Sequence, residues 1–109
     1  IIGRGFNLTE KLHDVTAHAE IQALTAAANF LGAKYLKECT LYVTLEPCPM
    51  CAGALYWSQI GTITFGAFDQ HRGATRHTPS LFHPSTQIKR GIEEDTCAQL
   101  MKTFFERKR

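Results

Sequence analysis

The sequence has no stretch long and apolar enough to cross a bilayer. Its longest mostly apolar run, Met50 to Trp57, falls far short of the ~20 residues that a spanning helix needs. It shows no signal or transit segment, no internal repeat, no low-complexity tract and no linker. These absences argue against a membrane-spanning or exported protein and predict a cytoplasmic one. The 109 residues suit one domain, 1–109, with one modest core. Acidic residues are also missing from Gln70 to Ile92, a stretch that carries Arg72, Arg76, Lys89, Arg90 and three histidines. The net charge is only +2, so overall balance demands no nucleic acid. The distribution says more. That stretch and the basic end Glu106-Arg107-Lys108-Arg109 can steer an anionic partner, or simply form a solvated surface.

Four cysteines are present, and two of them, Cys48 and Cys51, are spaced Cys-x-x-Cys. In a reducing compartment that spacing points to metal binding or redox chemistry rather than to disulfides. Around it, strands and helices alternate. Ile1 to Gly5 reads as the tail of a strand, and Asn7 to Val15 as polar turns. A helix is predicted from about Thr16 to Leu31, with Ile21, Leu24, Ala28 and Leu31 at helical spacing and Gly32 as C-cap. Thr40 to Leu45, rich in β-branched and aromatic residues, predicts a buried strand. Pro47 to Pro49 breaks it and opens a central helix, Pro49 to Ser58. Thr62 to Ala67 predicts a strand, Asp69 to Pro84 a long loop, and Gln87 to Arg90 a short strand. A last helix is expected from about Glu93, acidic at its start and basic at its end, with Cys97, Leu100, Met101, Phe104 and Phe105 as its apolar stripe. The class is α/β, with a single mixed sheet between helices.

Chemistry concentrates in His18-Ala19-Glu20 and Pro47-Cys48-Pro49-Met50-Cys51. Cysteines three apart in a first helical turn face one side, and the free N–H groups there favour thiolate. Two thiolates and one neutral imidazole, His18, balance a zinc ion and leave one position for water. A structural zinc would instead close its shell with a fourth protein ligand. Cys39, Cys97, His13, His71, His77 or His83 could supply one, and a redox pair is the other alternative. Glu20 is the candidate proton carrier. Residues two apart do not share a helix face. His18 and Glu20 must therefore approach the metal from different directions, or the helix must start irregularly. The order His-x-Glu followed by Pro-Cys-x-x-Cys is the signature of zinc nucleobase deaminases, in which the glutamate is the general acid and base.

Longer segments carry a resemblance. Asp14 to Ile21, Thr40 to Leu55 and Phe65 to Asp69 are similar to the cytidine and nucleoside deaminase superfamily, above all to its bacterial tRNA adenosine deaminases. The terminal Phe104-Phe105 with its basic residues looks like the same branch. The resemblance implies a three-layer α/β/α cytidine-deaminase-like fold, one Zn2+ per chain, and a homodimer. It implies water attack at C6 of adenine, proton delivery to N1 by Glu20, and a tRNA anticodon loop as partner. Asn7 matches a nucleoside-contacting asparagine, though on its own it reads equally as a turn residue. Asp69 matches a residue near the RNA backbone, though on its own it reads as a loop cap. Arg107, Lys108 and Arg109 are expected to contact RNA. A helix and strand that family members carry before this point are expected to be absent, leaving a sheet edge exposed. The same zinc motifs would serve a deaminase of a free base or nucleoside such as guanine or cytosine. A zinc-stabilised binding module without activity is the third reading, and Glu20 argues against it.

Overall fold

Parallel pairing organises the chain. A computed structural model describes the backbone of residues 1–107 and the side chains of residues 1–101. Strand β1, Thr40–Leu45, runs parallel to β2, Thr62–Ala67, with Leu41 opposite Ile63 and Val43 opposite Phe65. Strand β3, Gln87–Lys89, adds on the other side of β2, giving the order β1-β2-β3. Among the described residues every pairing is parallel, which corrects the expected mixed sheet. No connection is a hairpin. Helix α2, Pro49–Ser58, carries the chain from β1 to β2, and residues 68–86 carry it from β2 to β3.

Alternation along the strands sets the layers. Leu41, Val43, Ile63 and Phe65 face helix α1, Ala19–Leu31, and α2, and join Ala27, Ala52 and Leu55 in the core. The opposite face meets helix α3, Glu94–Arg107, where the Thr44 hydroxyl donates to the Met101 sulfur. α3 comes close because Gly66 offers no side chain. A Cβ there would collide with the Cys97 sulfur and lie 2.8 Å from the Ile92 carbonyl oxygen. The expected three-layer α/β/α arrangement is thus present.

Several local expectations need correction. Residues 1–8 form no strand. With Gly3 and Gly5 they pass against the α1 backbone at Ala19, Ala23 and Ala27 instead. β1 is an edge strand rather than a buried one, because among the described residues only β2 pairs with it, and Tyr42 is 78% exposed. α2 buries Cys51, Ala52 and Leu55, but its other side reaches solvent, with Trp57 76% exposed. α1 begins at Ala19, not Thr16, because the Asp14 carboxylate accepts from both the Thr16 N–H and its hydroxyl, 2.9 and 2.7 Å. That turn holds Thr16 outside the helix. Gly32 closes α1 in the left-handed region, φ 62°, as expected. The 69–84 loop contains a short 3-10 helix, Ala74–Arg76.

Candidate metal centre and deaminase site

Two helix N-termini meet at the site. His18 is the N-cap of α1 and Cys48 the N-cap of α2, both with extended backbone (φ −70°, ψ 157° and φ −76°, ψ 170°). An N-cap side chain ordinarily folds back to accept from the first-turn N–H groups. Neither does so here. Their carbonyls still start the helices, accepting from Gln22 and Ala52, while the side chains turn toward each other. Cys51, one turn into α2 and fully buried, completes the group. The His18 Nδ1 lies 3.5 Å from the Cys51 sulfur and 3.7 Å from that of Cys48. All three donor atoms lie within 4.8 Å of one another.

Those distances test the fit to zinc. Zn–S near 2.3 Å and Zn–N near 2.0 Å at a tetrahedral angle require an S···N separation of roughly 3.5 Å. The observed 3.5 and 3.7 Å lie at or just beyond it, so the imidazole is spaced from both sulfurs much as a bound ion would hold it. Among the described residues no fourth histidine, cysteine or carboxylate joins the cluster. His13, His71, His77, His83, Cys39 and Cys97 therefore supply no fourth ligand. A tetrahedral ion held by these three donors would keep one coordination position for water, as catalytic zinc sites do.

The irregular helix start resolves how His18 and Glu20 can serve one centre. His18 is outside the helix, in extended backbone, while Glu20 is the second helical residue. The rule that residues two apart diverge holds only inside a helix, so the pair can converge. Glu20 is half-buried, and its charge bears on the Cys51 thiol. Burial pushes that thiol well above its ordinary range, and the charges of Glu20 and Cys48 push the same way. At Cys51 burial therefore outweighs the thiolate preference expected at a helix N-terminus. A bound divalent cation reverses that balance.

The other expected contacts fall around this centre. The Asn7 side-chain oxygen accepts from the Thr9 N–H and hydroxyl, 2.9 and 2.8 Å, so it is a turn former. Its neighbour Leu8 donates to the Ala17 carbonyl, which keeps Asn7 beside the start of α1. Asp69 caps its own loop, its carboxylate accepting from the His71 and Arg72 N–H groups at 3.0 and 2.9 Å. Arg107 is the last residue of α3, and Lys108 and Arg109 lie outside the described residues. Sequence reasoning gave no role to Glu46, which is only 3% exposed and accepts hydrogen bonds from Asp69 and Thr75. The one signal for it is a carboxylate placed between an apolar strand and Pro47.

Comparison with known proteins agrees with this geometry. The MafB19-like deaminase family model matches residues 1–109. The tRNA-specific adenosine deaminase of Agrobacterium fabrum is 39% identical, over 100% of this chain and 75% of its own length. The chloroplastic tRNA(adenine(34)) deaminase of Arabidopsis thaliana is 39% identical over 97% of this chain, which spans 10% of that longer protein. A solved structure from a study of A-to-I editing by tRNA:A34 deaminases superposes with a TM-score of 0.82 at 38% identity, covering 90% of this chain and 75% of the other. With a full-length family match, the metal-ligand pattern and this fold together, the chain belongs to the MafB19-like deaminase family.

Proposed function

We propose that this chain is a zinc-dependent hydrolytic deaminase converting adenosine to inosine at the wobble position of a tRNA anticodon loop. One observation carries the chemistry: three zinc-spaced donors, His18, Cys48 and Cys51, with Glu20 one turn-start away. The substrate is supported by what the relatives are named for, tRNA adenosine deaminases at about two-fifths identity over nearly the whole chain. In this reading residues 1–109 form one deaminase domain that works in the cytoplasm as a homodimer. No helix among the described residues is long and apolar enough to cross a membrane.

Zinc, when bound, supplies a water acidic enough to lose a proton near pH ~7. His18, Cys48 and Cys51 hold that ion, and Glu20 moves the protons. Its carboxylate takes one from the water and delivers it to N1 of adenine as oxygen bonds to C6. The carboxylate then takes the second proton from the new C6 hydroxyl and passes it to the departing amine, the C6–N bond breaks as the C6 carbonyl forms, and ammonia leaves. Water and adenosine thus give inosine and ammonia, with Glu20 returned to its starting state. An adenine in a single-stranded loop enters such a pocket at less unstacking cost than one in a duplex.

The test is incubation with total tRNA and an anticodon stem-loop, then with guanine and cytosine, scoring inosine and ammonia. Inosine should appear in the RNA. Glu20→Ala should keep one zinc and its fold while turnover drops ~100- to 10,000-fold, the range for a lost general acid–base group. Deamination of a free base with the RNA untouched would replace this reading by the small-molecule one. A Glu20→Ala variant retaining half its activity would move the proton carrier elsewhere.

A further inference from the structure

A buried carboxylate two residues before a metal ligand has no part in the chemistry above. Glu46 follows β1 directly, and its N–H continues the sheet by donating to the Ala67 carbonyl at 2.8 Å. The side chain reaches into the 69–76 segment. Oε1 accepts from the Asp69 N–H at 2.9 Å. Oε2 accepts from the Thr75 N–H at 2.7 Å and from the Thr75 hydroxyl. No ion pair forms with Glu46 among the described residues, so these donors hold the carboxylate in place.

The segment is wrapped around this group. Asp69 and Thr75 are bound to it at either end, and Gly73 lies against it. A Cβ on Gly73 would overlap the Glu46 carboxylate. One residue on, the Pro47 carbonyl accepts from the Ala74 N–H at 2.9 Å. The segment thus hangs from Glu46 and Pro47, immediately before Cys48. It also carries Asp69, His71 and Arg76, which with Glu46 and Thr75 line an open cleft of about 640 Å³, and the exposed Arg72 lies in the same segment. We infer that Glu46 is a positioning residue for substrate: it fixes the 69–76 segment, with its two arginines, at a set place relative to the zinc ligands. This rests on the polynucleotide reading of the site, since Arg72 and Arg76 are exposed cations suited to phosphate.

Glutamine tests it sharply. Each Glu46 oxygen receives a backbone N–H, so in either orientation of the amide its NH2 faces a donor and one bond is lost. Zinc-loaded Glu46→Gln should keep one metal per chain. Its kcat on an anticodon stem-loop should stay within about threefold while KM rises about tenfold, the pattern of lost uniform binding. The Asp69 and Thr75 amides should exchange hydrogen faster. An unchanged KM with both amides still protected overturns the inference. So does loss of zinc, which would make Glu46 a support for the ligand helix. If Glu46→Gln does not fold, Thr75→Val decides, since it removes only the hydroxyl donor. It should raise KM to a smaller degree with zinc retained, and an unchanged KM refutes the role. If the wild-type chain leaves the RNA unedited, the tRNA reading fails, and amide exchange in the glutamine variant still shows whether Glu46 holds the segment.

Discussion

Cys51 is the fully buried member of the metal-binding group, and its burial dictates a pH response. Its thiol is pushed above the ordinary value of 9.0, first by burial, then by Glu20 and Cys48. Above that value the unfolded chain loses a proton that the folded, metal-free chain retains. Stability then falls as pH rises, because the folded state binds more protons. Below pH 9.0 this group costs nothing. Metal-free chain should therefore melt progressively lower from about pH 9 upward, while zinc-loaded chain, already holding a thiolate, should not share this loss. Thermal melts with and without chelator across that range check it, and identical pH profiles would refute it. The convergence of His18, Cys48 and Cys51 was legible in the sequence because the types and order of these residues are set by chemistry. Glu46 was not, because a carboxylate acquires that kind of role only from the loop that folds back on it.

Among the elements, the contact of α3 with β2 depends on one missing side chain. Gly66→Ala would drive a methyl group into Cys97 and toward the Ile92 carbonyl, and backbone must move to admit it. Overpacking of this kind costs about 1–3 kcal/mol. Urea unfolding should show that loss with the metal site intact, and a neutral result would mean that α3 shifts freely. Except for the strand expected at Ile1 to Gly5, which does not form, element types were legible, since β-branched runs and helical spacing mark β1, β2, α1 and α2 locally. What escaped depends on partners. Whether β1 is central or an edge, and whether α2 is covered on all sides, follows from which elements pack beside them. The start of α1 was misplaced by three residues, since Asp14 offers Thr16 a turn that competes with the helix.

For the whole molecule, charge distribution gives the remaining test. If Arg107, Lys108 and Arg109 track an RNA backbone, each contact releases counterions. Neutralising the three should weaken tRNA binding and flatten its log–log salt slope by roughly 0.7 per lost contact. Zinc content should be unaffected, because the proposed ligands lie at the heads of α1 and α2. Affinity measured over a salt series for both forms decides it. Unchanged affinity and slope would move the RNA path to other cations, with Arg72 and Arg76 first in line.

The three donors also have a consequence for how the metal comes and goes. Cys48 and Cys51 sit together on α2, but His18 comes from the head of α1, 30 positions earlier than Cys48. An ion held between them would staple two helices that also share the apolar core at Ala27, Ala52 and Leu55. Its loss requires the His18 side chain to let go, which undoes the link between the head of α1 and α2. The rate at which a chelator strips the ion then reports how often that link opens, readable without any substrate.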